Sequence, residues 1–180
     1  MSGLIRTSII VLAAFYLVVV YLVANPNVSP AYRDYYILRT TSLSDALRKQ
    51  LQPLQIGKPY THRDPVIGFD GWSEPEETHR WSSGKSAKMI FLLDTTAAQG
   101  PRRLAIRLAP LGTQRTHWHL NGTDLGERRI GGEVELAFPV KPGLLREGEN
   151  VVEIELPDAR MPGNGDARTL ALAFKSLRLE

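Results

Sequence analysis

The chain has 180 residues, no cysteine, 22 basic against 19 acidic side chains and a formal net charge of +3. That length suits one globular domain plus extras, and the lack of cysteine excludes disulfides and thiolate metal sites without fixing a compartment. The basic residues are scattered, with no Lys/Arg block and no RNA-type aromatic motif, which argues against nucleic acid as a partner and leaves only a mild attraction to anionic lipid headgroups.

Thr7 to Ala24, "TSIIVLAAFYLVVVYLVA", carries no charge. As a helix rising ~1.5 Å per residue it reaches ~27 Å, about one bilayer core. A secretory signal has a shorter apolar core, ~7–15 residues, and ends at a small-x-small site. Here the run is longer and Leu22 stands where a small residue would precede Ala24, so residues 1–24 are expected to be a retained transmembrane anchor. Arg6 precedes the span, while Arg33 and Arg39 follow it, partly offset by Asp34; the positive-inside rule therefore separates the two orientations only weakly. A long C-terminal domain crosses regardless of charge, so the expected arrangement is a single-pass protein of a bacterial inner membrane with its C-terminal domain in the periplasm. Within the span, Tyr16 and Tyr21 offer hydroxyls suited to packing on a neighbouring protein. "NPNVSP", Asn25 to Pro30, leaves the bilayer as extended or turning chain. Tyr32, Tyr35 and Tyr36 follow close to the expected bilayer surface, where an apolar ring with a water-seeking hydroxyl is favoured. Packing of Tyr32 and Tyr36 on the domain or on a partner explains them equally well.

"SLSDALRKQLQ", Ser42 to Gln52, reads as a short helix: Ser42 with Asp45 resembles a capping box, Leu43, Leu47 and Leu51 recur every fourth residue, and Pro53 stops the pattern. From Lys85 onward the rhythm is that of strands. "AKMIFLLD" is one. In "RRLAIRLAP", Leu104, Ile106 and Leu108 share one face while Arg103 and Arg107 share the other. "RTHWHLNGTDLG" contains Asn121-Gly122, the strongest short-range hairpin signal in the chain. "GEVELAFPV", "NVVEIELP" and "LALAFKSLRLE" complete the series, and Gly131-Gly132 and Gly163 to Gly165 read as turns needing positive φ. Six strands at short spacing with no helical pattern between them predict a mainly β fold, an antiparallel β-sandwich of jelly-roll type, over residues 66–180. Residues 25–65 are then a linker carrying the short helix.

The second half runs "HLNG", "LGERRIGGEVELAFPV", "LLREGENVVEIELPD", "GDARTLALAFKSLRL". That order resembles galactose-binding-like jelly-roll modules, in which a hairpin "NG" is followed by "G-x-N" leading into an inner strand. With "GFDGWSEPEETHRWSSGKSA" in front, it is more specifically similar to β-sandwich modules associated with bacterial membrane glycosyltransferases and envelope polysaccharide synthesis. There, a pattern of the kind G-W-S-x-P-E-x-x-x-R-W precedes the first long strand. The resemblance covers about residues 66–180 and departs from the family in hanging from one span instead of a large transferase. It implies a detached subunit that meets its enzyme in the membrane.

Chemistry concentrates in that front motif. An indole stacks on the apolar face of a pyranose while carboxylates and guanidinium groups bond its hydroxyls. Trp72, Trp81, Asp70, Glu76 and Arg80 are the candidate carbohydrate-binding residues. The competing reading is structural: Trp81 opens the first strand as core filler, Trp72 plugs one end of the sandwich, and Arg80 pairs with Glu76. Glu74, Glu76 and Glu77 suggest a glycosidase, but that reaction needs two carboxyls flanking a bond at ~5–10 Å, and no second acidic cluster stands at a strand end. No catalytic residue is therefore assigned. "THWH" puts His117 and His119 on one strand face and Trp118 on the other. A zinc site needs a third protein ligand, for which His62 and His79 qualify only if folding brings them close, so no metal site is expected. No nucleophile elbow, phosphate-cradling loop or dinucleotide motif is present, and no cofactor is expected.

The expected function is a non-catalytic, membrane-anchored accessory subunit of a bacterial envelope polysaccharide or exopolysaccharide synthesis or export complex. Its partners would be a membrane glycan-synthesis protein, a polysaccharide ligand and the lipid bilayer. The alternatives are a protein-interaction scaffold without sugar contact and a glycan-modifying enzyme.

Overall fold

The computed structural model describes residues 3–25, 28, 32–33, 37, 49–100, 102–163 and 165–180. The chain divides into two compact units, residues 1–40 and 41–180. In the first, helix α1 (Gly3–Ala24) contains Ile5–Ala24, a stretch long and apolar enough to cross a bilayer, none of which is buried within the chain. Tyr16 and Tyr21 are exposed on it, as is Tyr32 beyond it. Asn25 closes the last turn, its backbone N–H and its side-chain amide donating to Tyr21 O at 2.9 and 3.1 Å. Tyr36, and residues 42–48 of the expected helix, lie outside the described residues.

The second unit is an antiparallel sandwich. Its first sheet has the order β2 (Ile67–Asp70), β4 (Ser86–Leu93), β9 (Gly148–Glu155), β6 (Gln114–Leu120), β7 (Thr123–Ile130). The second runs β1 (Pro59–Thr61), β10 (Leu170–Leu179), β5 (Arg102–Pro110), β8 (Val134–Val140), with β3 (Arg80–Ser83) also paired to β10. Among the long strands, β4, β6 and β9 sit in the first sheet and β5, β8 and β10 in the second, so the chain crosses between layers again and again, as in a jelly roll. These are the six strands read from the sequence. The other four escape a periodicity reading because β1, β2 and β3 are three or four residues long, and β7, on the sheet edge, buries only Ile130. A one-turn helix, α2 (Thr95–Ala98), is capped by Asp94, whose carboxylate accepts from Ala97 N–H at 2.7 Å.

Strand alternation builds the core. Met89 and Phe91 of β4, Trp118 and Leu120 of β6, and Val152 and Ile154 of β9 face Leu104, Ile106 and Leu108 of β5, Phe138 of β8 and Phe174 of β10. Arg103 and Arg107 take the opposite face of β5, where Arg107 pairs with Glu133 at 2.6 Å. Trp118 is fully buried, and its Nε1–H donates to Thr116 Oγ1 at 2.7 Å, so the indole brings no unsatisfied polar group inside. The chain contributes to this unit before residue 66. Tyr60 of β1 stands opposite Leu177 and is buried, Leu54 joins the main core, and Leu51 covers Ile90 on the outer face of the first sheet. β1 thus falls inside the stretch read as a linker.

The Asn121-Gly122 signal forms the β6–β7 turn, both residues having positive φ (51° and 80°), the two-residue conformation whose twist suits a hairpin. Gly163 and Gly165 also have positive φ, whereas Gly131 and Gly132 do not. At the far end of β6, Asp158 takes Arg115 N–H at 3.0 Å and the Arg115 guanidinium at 3.0 and 2.8 Å. The Arg115 side-chain bonds, followed by its backbone N–H, hold the Asp158 carboxyl down to about 2. An unfolded aspartate titrates near ~3.9, so this pairing contributes above that pH and is lost as pH falls towards 2. Asp158→Asn should therefore flatten the acid limb of a stability–pH curve between about pH 4 and 2, the variant lying below the native chain at neutral pH and converging with it near pH 2, by an amount kept small because the pair is open to solvent. Urea midpoints across that range check it.

Candidate functional site

The front motif lies at the flank where β2 edges one sheet and β1 and β3 edge the other. Gly71 bends the chain out of β2 at φ +73°. An isolated bridge then pairs Trp72 with Ser82 of β3, and Ser73 N–H donates to Trp81 O at 2.8 Å. The loop from Glu74 to His79 is pinned at its centre. Glu76 O accepts from Arg63 Nη2 at 2.7 Å and lies 3.2 Å from His62 Nε2, while Glu76 N–H donates to His79 O at 2.8 Å.

The two tryptophans are put to different uses. Trp72 turns inward: its Nε1–H donates to Lys88 O at 2.9 Å, and its ring meets Phe69 and Phe174 edge-on at 5.9 and 5.7 Å, at the margin of the core. That is the plug of the structural reading. Trp81 is not core filler. Ser82, next to it on β3, is fully buried and its Oγ accepts from Leu172 N–H at 2.9 Å, so Trp81 takes the outer face. There it stands opposite Ala173 of β10, which in turn stands opposite Ala109 of β5. Trp81 is part-buried and ends a row of small side chains, Ala173 being buried and Ala109 part-buried; its outward surface is the Trp81 shelf.

Around that shelf the charges differ from the expected pairing. Arg80 does not bridge to Glu76. Its guanidinium lies 4.3 Å over the Phe69 ring, with Nε buried and lacking a hydrogen-bond partner. Burial lowers its pKa, the charge of Glu74 opposing the shift. Glu76 instead meets Arg168, both Nη atoms lying 3.2 Å from Oε1, and His79 Nε2 stands 3.4 Å from Oε2. Arg168 is locked by Asp166 through bonds of 3.0 and 2.6 Å, and the Asp166 bonds raise its pKa further. His79 meets Trp81 edge-on at 5.1 Å. The structure therefore joins Trp81, His79, Glu76 and Arg168 on one rim, sends Trp72 and Arg80 to packing, and leaves Asp70 exposed at the end of β2. Glu74 and Glu77 are exposed on the loop. Arg168 is the member that sequence reasoning missed. It is 92 residues from Glu76, and only the closing of β10 against β3 brings it there.

Two other features carry polar chemistry. At the opposite flank, where β7 and β8 edge their sheets, a cleft of about 260 Å³ is lined by Thr123, Leu125, Arg128, Phe138 and Lys141, with Arg128 lying 5.3 Å over the Phe138 ring. On the outer face of the first sheet, donor atoms of His117, His119 and Glu155 lie within 4.8 Å of one another. His62 and His79 belong to the front-motif loop and not to this group.

No protein-family model matches the chain, and no curated protein matches it. Similar solved structures include β-sandwich carbohydrate-binding modules. CBM35 from Paenibacillus barcinonensis is 11% identical with a TM-score of 0.48, over 69% of this chain and 98% of that one. A CBM36 module in complex with calcium and xylotriose is 12% identical with a TM-score of 0.41, over 68% and 99%. The cycloalternan-forming enzyme from Listeria monocytogenes is 11% identical with a TM-score of 0.48, over 69% of this chain and 12% of that one. At these identities and TM-scores the likeness carries no argument about ligand or activity.

Proposed function

We propose that this protein is a membrane-anchored, non-catalytic accessory subunit of a bacterial envelope polysaccharide synthesis or export complex, with its sandwich on the periplasmic side of the inner membrane. The observation that carries the reading is α1: among the described residues it is span-length, apolar and exposed along its length, which suits a bilayer and a neighbouring span. Tyr16 and Tyr21 would meet that partner, and Tyr32 and Tyr36 would lie near the headgroups. In this reading residues 1–24 are the anchor, residues 25–65 lead to the domain and residues 66–180 supply most of the sandwich.

The sandwich would hold the polymer on the Trp81 shelf. An outward indole supplies stacking area at low entropy cost. Glu76 and Arg168, already bonded to each other and held through Asp166, supply an acceptor and a donor for ring hydroxyls. Of the original set, Trp81 would stack and Glu76 would serve as a polar contact, while Trp72 and Arg80 would support the site from beneath and Asp70, on the other sheet, would be a peripheral contact.

The test is purification of the full chain in mild detergent, with identification of co-purifying proteins, followed by titration with envelope glycans. We expect a membrane glycan-synthesis component to come along, and Trp81→Ala to weaken glycan binding at least tenfold while Trp72→Ala lowers stability. Co-purification with no glycan binding at all would favour a pure scaffold. Neither partner nor glycan would overturn the reading, and turnover lost in Glu76→Gln would make it an enzyme.

A further inference from the structure

His117 and His119 point outward from β6, their neighbours Thr116, Trp118 and Leu120 being buried. The two imidazoles are 4.6 Å apart between centroids. Glu155 of β9 is the register partner of His117, so its carboxylate stands on the same face, with Oε2 3.9 Å from His117 Nδ1. A second carboxylate fixes the ring from behind. Asp124 Oδ1 lies 2.9 Å from His117 Nε2 and also accepts from Gly126 N–H. It reaches there because the β6–β7 pairing shifts register between Trp118 and His119, a bulge that skips Leu125, with Gly126 at φ +88°. With Nε2–H donating to Asp124, His117 turns Nδ1, as a lone pair, towards Glu155. A carboxylate behind a histidine is the usual device for orienting a metal ligand and raising its basicity.

We propose that His117, His119 and Glu155 form a surface site for a divalent transition-metal ion of the zinc type, with Asp124 as the residue that positions His117. Two imidazoles and a carboxylate make a borderline donor set, suited to zinc and its neighbours and unsuited to calcium or magnesium, which take oxygen ligands. Tetrahedral bonds of ~2.0–2.2 Å put donor atoms about 3.4 Å apart. The donor atoms stand within 4.8 Å of one another, so binding calls for rotation of these three surface side chains to close the set. The fourth position faces solvent and takes water. A cross-strand ion pair alone explains Asp124 and His117. Strand period and register bring His119 and Glu155 to the same face, and together with His117 they place three ligand-type donor atoms within 4.8 Å of one another. The proposal is independent of the glycan reading, since the Trp81 shelf lies on the other sheet.

The experiment is a Zn2+ titration of the full chain, in detergent and without a polyhistidine tag, against a chromophoric chelator, with histidine ring resonances followed by NMR. We expect one ion per chain, movement of the His117 and His119 rings but not of His62 and His79, and no competition from Ca2+. His119→Ala and Glu155→Gln should each weaken binding at least tenfold. Asp124→Asn, which removes only the positioning group, should weaken it by about tenfold. All three positions are at the surface, so far-UV circular dichroism should be unchanged. No stoichiometric Zn2+, binding that survives His119→Ala, or resonance shifts confined to His62 and His79 would each overturn the proposal.

Discussion

Asn150→Ala should destabilise the sandwich by about 3 kcal/mol, roughly two or three buried polar groups left without partners. Asn150 is fully buried at the start of the inner strand β9. Its Oδ1 accepts from Asn121 Nδ2 at 2.8 Å and from Arg146 N–H at 2.9 Å, and its Nδ2 donates to Arg146 O at 2.7 Å and Gly148 O at 3.1 Å. The four bonds use the whole capacity of the amide, and they tie the 144–148 loop to the β6–β7 turn. Alanine removes the partner of Arg146 N–H and O, of Gly148 O and of Asn121 Nδ2 together. Asn150→Asp should be worse, because a carboxylate oxygen would then face two carbonyls and a charge would be buried. Asn121→Ala should cost less, about 1–2 kcal/mol, since Asn121 is only half-buried. Thermal unfolding followed by tryptophan fluorescence ranks the three. A shift for Asn150→Ala no larger than that for Asn121→Ala would refute the account.

Gly71→Ala is the second large effect, and here the cause is space. A Cβ at Gly71 would lie 2.5 Å from Ser86 O and 3.1 Å from Ala87 Cα. Both atoms are backbone of β4, which pairs with β2 and β9, so neither can move without opening the sheet. Positive φ adds strain of its own, on the order of 1 kcal/mol for a non-glycine residue. Together we expect a loss of about 3 kcal/mol and release of Trp72 from Lys88 O, read as a red shift in tryptophan emission. Gly122→Ala is the control. It has φ +80° but nothing within 4 Å of the added carbon, so only the strain of about 1 kcal/mol applies. If the two substitutions cost the same, steric overlap at Gly71 is not the reason for that glycine.

These two positions also mark how far the sequence can be read. Asn121-Gly122 announces its turn from two letters, because positive φ at consecutive positions is a local demand that few residue pairs meet. The alternation of Leu104, Ile106 and Leu108 with Arg103 and Arg107 announces β5 in the same way, since a strand of period two meets water on one face only. Trp118 as core, with His117 and His119 outward, follows from that same period. Gly71 gives no such warning. Its necessity comes from β4 crossing beside it, which no local pattern encodes.

The candidate site divides along the same line. The letters of "GWSEPEETHRW" collect the right chemistry at one place in the chain. They do not say that Trp72 turns in and Trp81 turns out, because that choice rests on β3 pairing with the distant β10 as well as with the segment from Gly71 to Ser73. Glu76 and Arg80 suggest an ion pair by proximity. The folded chain instead gives Glu76 to Arg168 and lays Arg80 on Phe69, since burial beside an aromatic ring offers the cation contact area while a freer arginine is at hand for the carboxylate. Likewise, two histidines in "THWH" lack a third ligand until β9 runs antiparallel beside β6 and sets Glu155 opposite His117.

The amino-acid order alone specifies the span-length apolar helix, the mainly β class, six of the strands and the inward and outward faces of β5 and β6. All of these follow from hydrophobic runs and periods that operate within ten or twenty neighbouring residues. Only the tertiary structure decided which strands pair, which tryptophan faces solvent, and which distant carboxylates and cations meet. Those outcomes depend on contacts between residues far apart in the chain, 92 positions for Glu76 and Arg168, where the competing pairings differ in packing and not in local preference.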